Sequence, residues 1–122
     1  MKINKKMALA LWDETFGDCE VAQDFSGRWM VKDAYGERDA EEELSDFTNR
    51  QNDVGTYVNV GWDIHHILPV AKGGTSVPEN LLCVAIETNE EAGDKTTFWA
   101  NESLFQIRRN GDGGYSIQEI ED

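Results

Sequence analysis

Between Thr56 and Val70 the chain is dense in β-branched and aromatic side chains, and Pro69 cannot donate to a sheet ladder, so a strand is expected to finish there. Lys72-Gly73-Gly74-Thr75 then reads as loop and Leu81 to Ile86 as a second short strand. Thr88 can cap a helix whose first turn contains Glu90 and Glu91. The order strand, loop, strand, helix constrains the fold more than any other feature of the sequence.

Elements of other kinds flank this unit. Met7, Leu9, Leu11 and Trp12 suit a short helix over Lys5 to Thr15, closed by Gly17. Asp24-Phe25-Ser26-Gly27 is a turn signal, Arg28 to Val31 has strand-like composition, and Gly36 ends that unit. The acidic stretch Ala40 to Arg50 suggests a short helix, broken by Asn52-Asp53-Val54-Gly55 before an extended run begins at Tyr57. Near the end, Leu104 to Arg109 and Tyr115 to Ile120 flank Gly111-Asp112-Gly113-Gly114, a hairpin signal. The expected class is α+β, an N-terminal helix and hairpin before the central unit and a β-hairpin after it. A chain of 122 residues fits one small domain.

Eleven Lys and Arg against 24 Asp and Glu give a formal charge of −13, which repels nucleic acid at long range. The excess is unevenly spread: Glu37, Asp39, Glu41, Glu42, Glu43 and Asp46 lie close together, and Glu119, Glu121 and Asp122 end the sequence. Cys19 and Cys83 have no CxxC partner, which argues against a zinc cage or a disulfide framework and for a reduced, cytoplasmic setting. The apolar run after the first lysines stops at Trp12 and reads as a helix, not a signal peptide, and no stretch is long enough for a membrane span.

The two histidines are adjacent, in Trp62-Asp63-Ile64-His65-His66-Ile67-Leu68-Pro69. Neighbouring side chains on a strand point to opposite faces, so one imidazole can bind a metal while the other faces a water. Gly73-Gly74, Asn80-Leu81-Leu82, Asn89 and Lys95 follow in order. This ordered set resembles the HNH endonuclease family, the ββα-metal nucleases, in a variant with HH where the family usually has DH. The resemblance reaches back through Asp24-Phe25-Ser26-Gly27-Arg28 and Tyr35-Gly36 and forward through Thr97-Phe98-Trp99. Its core spans roughly 57–100, with the acidic stretch 37–56 as an insert.

The resemblance implies a metal-dependent endonuclease acting on DNA. His66 falls on the general base, His65 and Asn89 on the metal-ligand positions, and Asn80 on the middle asparagine that braces the connecting loop. Gly73 and Gly74 permit a tight loop path. Asp63 is a candidate to orient an imidazole from behind. One divalent ion is implied, with Mg, Mn, Ni, Zn and Co all open. A histidine in place of the usual acidic ligand favours the borderline metals over Mg.

Ala92 stands where the family commonly has a lysine, leaving Lys95 as the cation for the scissile phosphate. Lys72 is the other basic residue by the site, with Arg28, Lys32, Arg108 and Arg109 as outer phosphate contacts. Trp62 and Trp99 read as core aromatics. The acidity supports a second reading, a binding module that presents segment 37–56 to a basic protein partner.

Overall fold

The computed structural model describes residues 3–120. Helix α1 (Lys5–Phe16) starts where the Asn4 side chain accepts the Met7 N–H, and it stops at Gly17, whose φ of 65° lies outside helical space. Strands β1 (Val21–Gln23) and β2 (Trp29–Val31) form an antiparallel pair. The turn between them is closed by Asp24, whose Oδ1 accepts from the Ser26 and Arg28 backbone N–H groups.

The acidic stretch departs from the expected helix. It opens as strand β3 (Glu41–Glu43), continues through one helical turn, α2 (Ser45–Thr48), and returns as β4 (Tyr57–Asn59), antiparallel to β3. Main-chain pairing with Tyr57–Asn59 outweighs the low strand propensity of three glutamates. Glu43 turns its carboxylate to use, accepting from Ser45 Oγ and the Gly55 N–H, and these bonds hold its pKa below the ordinary carboxylate value.

The extended run from Thr56 is also interrupted. β4 and β5 (Trp62–His66) belong to different sheets, and the chain changes direction at Gly61. A Cβ at Gly61 would lie 2.0 Å from the Glu37 carbonyl oxygen, so only glycine allows this close passage.

Strand β5 pairs antiparallel with β6 (Leu81–Ala85), placing His65 opposite Leu82 and His66 opposite Leu81. Helix α3 (Ile86–Ala92) follows β6 directly. Its start differs from the expected one, because Thr88 is wholly buried inside the helix and caps nothing. The Thr88 hydroxyl takes a hydrogen bond from Arg28 and pairs with Ser26. The chain enters the helix with the Ala85 N–H on Asp24 Oδ2 and the Ile86 N–H on the Gly61 carbonyl. Arg28 also pairs with Glu91, and Glu91 accepts the Asn101 N–H, so α3 is tied to two neighbouring loops.

Strands β7 (Thr97–Ala100), β8 (Ser103–Arg109) and β9 (Tyr115–Ile120) form an antiparallel sheet in that order. The β8–β9 hairpin is the expected one; β7 is an addition. The whole is a small mixed α+β structure of three α-helices and small antiparallel sheets among the described residues. One core joins Trp12 and Ala8 of α1 to Met30, Trp62, Ile64, Leu81, Cys83 and Ala85, and a second gathers Ala92, Phe98, Ala100 and Phe105. Trp62 is fully buried, as expected, whereas Trp99 is 52% exposed on the outer face of β7 and is no core residue. Both cysteines are free thiols, and burial pushes that of Cys83 up to about 12. Among the described residues no helix is long and apolar enough to cross a membrane.

Candidate functional site

The period of two along β5 sorts its side chains. Trp62, Ile64 and His66 share the face that opposes Ala85, Cys83 and Leu81, while Asp63 and His65 take the other face. That second face meets α3: His65 Nδ1 lies 2.8 Å from Asn89 Oδ1. Asn89 is in the middle of α3 and not at its start, so the helix backbone fixes the direction of its amide. Residues 65 and 89 are thus brought together from two elements far apart in sequence.

His65 is 4% exposed, its ring edge-on to Phe98 at 6.5 Å between centroids. Burial lowers its pKa below the ordinary histidine value, against the opposing effect of its hydrogen bond to Asn89 Oδ1. Its Nε2 is buried and has no hydrogen-bond partner among the described residues. A neutral imidazole carries one donor and one acceptor, so one nitrogen of His65 goes unsatisfied in either tautomer.

His66 is half-buried at the end of the same strand, its Nε2 2.9 Å from Ser76 Oγ. Burial also holds this imidazole below the usual value. The loop that presents Ser76 is held by Asn80, which is buried. Asn80 Oδ1 accepts the Leu68 N–H at 2.8 Å, and Nδ2 donates to the Leu68 carbonyl at 3.1 Å and the Thr75 carbonyl at 2.8 Å. These bonds tie the Leu68 backbone to the Thr75 carbonyl across the loop. Gly73 turns with a φ of 98°, and a Cβ on Gly74 would lie 1.7 Å from the Leu68 oxygen, so both glycines are required by the loop path.

Substitution of Asn80 by alanine leaves two carbonyls and one N–H without these partners. The expected result is a loss of about 1–3 kcal/mol, read as a lower urea midpoint, with the loop losing its register to β5.

His65, His66 and Asn89 border one cleft of about 280 Å³, together with Ile64, Pro69, Val70, Ala71, Gly93 and Asp94. Asp94 was not singled out from the sequence. It looks like any residue after a helix-ending glycine, and only the geometry brings it to the edge of the cleft. Ser76 was missed for the same reason.

Other expected site residues are placed differently. Asp63 accepts its neighbour's Ile64 N–H at 2.7 Å, while the imidazole nitrogens with partners bond Asn89 and Ser76. Lys95 is exposed, and its Nζ lies 3.4 Å from the Glu91 carbonyl oxygen. Lys72 is exposed on the turn Val70–Lys72, whose first two residues line the cleft. Arg28 is committed to Glu91 and Thr88, and Lys32 to Asp13, so both serve the fold as ion-pair partners. Arg108 and Arg109 are exposed at the end of β8.

As for a metal, no group of three or more His, Cys, Asp and Glu among the described residues is arranged to hold one. The donors that converge are one imidazole nitrogen and one amide oxygen, His65 Nδ1 and Asn89 Oδ1, separated by about the distance of neighbouring ligands on one ion. A cation between them would use both lone pairs, leaving Nε2 as the N–H of the neutral ring. An imidazole nitrogen with a neutral amide oxygen is a donor set whose chemistry suits a borderline divalent metal.

Acidification tests the environment of the rings directly. Their pKa values are lowered by folding, so the unfolded chain binds protons that the native chain refuses. Stability of the metal-free protein is expected to be full above about pH 6.5 and to fall as pH drops through and below that value. Urea midpoints between pH 8 and 5 would show this, and His65→Phe is expected to flatten the slope.

No family model, no curated protein and no solved structure matches this chain.

Proposed function

We propose that this chain is a metal-dependent HNH-type endonuclease that hydrolyses DNA phosphodiester bonds at the cleft between β5, α3 and the loop braced by Asn80. The observation that carries the reading is the convergence of His65, His66 and Asn89 on one cleft, with Asn80 holding the connection between the strands. In this reading β5, β6 and α3 are the ββα-metal core.

His66 takes a proton from the water that attacks phosphorus. An imidazole whose pKa lies below the ordinary value is neutral, and so competent as a base, throughout the neutral range. His65 and Asn89 would hold one divalent ion. When bound, the metal supplies positive charge for a non-bridging phosphate oxygen and the departing 3′ oxygen. Lys72 and Lys95, exposed close to the cleft, attract the phosphate that a strongly acidic chain otherwise repels. Asp94 adds a negative charge that the two neutral ligands lack. Asp94→Asn is therefore expected to weaken Mn binding several-fold by titration calorimetry.

Nicking of supercoiled plasmid by the full chain, with Mn, Mg, Ni, Zn or Co supplied singly, tests the activity. A chain that nicks in none of them, or nicks as well without its His66 imidazole, is not the nuclease proposed.

A second reading is favoured by the surface around β3. Asp33, Glu37, Asp39, Glu41 and Glu42 line a groove of about 520 Å³ that suits a basic protein partner. Salt-dependent binding of a basic protein, without binding of DNA, would support this reading over the first.

A further inference from the structure

We propose that Asn110, in the hairpin between β8 and β9, is a site of spontaneous deamidation, its side-chain amide attacked by the Gly111 nitrogen with the Ser116 hydroxyl assisting. Of the asparagines in the sequence, only Asn110 is followed by glycine. A side chain on the following residue would crowd the approach of the backbone nitrogen to the amide, and Gly111 has none.

The fold adds two conditions. The first concerns the attacking nitrogen. Gly111 is exposed and its N–H has no hydrogen-bond partner among the described residues, so no bond has to break before that nitrogen gives up its proton. The second concerns the carbon under attack. Ser116 Oγ donates to Asn110 Oδ1 at 3.0 Å from the neighbouring strand, where Ser116 is held by its pairing with Arg108. Negative charge collects on Oδ1 as nitrogen adds to the amide carbon, and a hydroxyl already donating there stabilises it. Asp112-Gly113, two residues on, lacks the first condition, because the Gly113 N–H donates to the Asn110 carbonyl at 3.2 Å. A carboxylate is also the poorer electrophile.

In the reaction the Gly111 nitrogen bonds to Asn110 Cγ, the Cγ–Nδ2 bond breaks, and ammonia leaves with the proton that the Gly111 nitrogen gave up. Water then opens the five-membered imide at one of its two carbonyls. One opening leaves an aspartyl residue at position 110, the other an isoaspartyl residue with an extra methylene in the main chain. Water is the only co-reactant. The Asn110 N–H donates to the Gly114 carbonyl at 2.7 Å and its own carbonyl accepts from Gly113, so the isoaspartyl form cannot keep this turn as it is.

The experiment incubates the folded full chain at pH 8 for several days and maps its peptides by mass spectrometry. The expected result is an amide-to-acid mass change at residue 110 ahead of every other asparagine, with isoaspartyl and aspartyl products separated by chromatography. Gly111→Ala is expected to slow the conversion many-fold. An added Cβ there meets no atom within 4 Å, and the Gly111 φ lies outside the left-handed region, so this variant keeps the hairpin. Ser116→Ala is expected to slow the folded chain by about 2- to 10-fold, the worth of one hydrogen bond to the developing charge. In urea, where Ser116 no longer faces Asn110, that variant and the wild type are expected to convert at the same rate.

A residue 110 that stays unmodified overturns the proposal, as does folded Ser116→Ala converting at the wild-type rate. A Ser116→Ala effect that persists in urea also overturns it, since the assistance would then not come from the folded hairpin.

Discussion

Exchange of His66 for alanine is expected to lower metal-dependent plasmid nicking by about 10²- to 10⁴-fold, the usual contribution of a positioned base. The folded state should hardly notice. His66 ends β5, half-buried, and its ring pairs with a loop hydroxyl, not with a core group. The melting temperature should therefore stay close to wild type, and Mn binding should persist, because His65 and Asn89 remain in place. A variant that loses nicking together with its fold would instead mark His66 as structural.

The largest loss of stability is expected at Trp62. Its indole is completely buried, 4.9 Å from the Trp12 ring and 5.0 Å from Tyr35, with Nε1 donating to the Lys32 carbonyl at 3.2 Å. Trp62→Ala should cost about 3–5 kcal/mol, seen as a large drop in the urea midpoint, since α1, β2 and β6 all close on the space it fills. Trp62→Phe should recover much of that loss but leave the Lys32 carbonyl without its donor. A small effect for the alanine variant would show that the core around β5 can collapse around the vacancy.

The central order of strand, loop, strand and helix was legible because its punctuation is local. Pro69, Gly73 and Gly74 can each be read as chain geometry without knowledge of the rest, and Gly111 to Gly114 mark their hairpin in the same way. β7 escaped because its turn to β8 is made by Asn101 and Glu102, with φ of 50° and 69°, where no glycine advertises a reversal. β3 escaped because Glu41, Glu42 and Glu43 show no alternation, their pairing being decided by backbone bonds to Tyr57–Asn59. Trp99 was misjudged since a residue's type does not tell which face of a strand it takes.

At the candidate site, His65, His66, Asn80 and Asn89 were legible as an ordered pattern, and their neighbours were not. Ser76 and Asp94 are ordinary loop residues until the chain is folded. Conversely, Arg28 was read as a free cation although Glu91 and Thr88 already claim it. Spacing along the chain identifies what is repeated in a pattern; it does not say which charges are already spent on each other.

The acidic excursion departs and rejoins through adjoining residues: the Val60 N–H donates to the Ala40 carbonyl at 2.9 Å, and Gly61 passes against Glu37. Between those two stitches the segment also leans back on its neighbours, Phe47 stacking on Trp29 and Asn59 donating to Glu87 of α3. Extra length at its tip, closed over the same gap, costs only a slowly rising entropy. The geometry of the candidate site and the length of that tip are in this way free to vary separately.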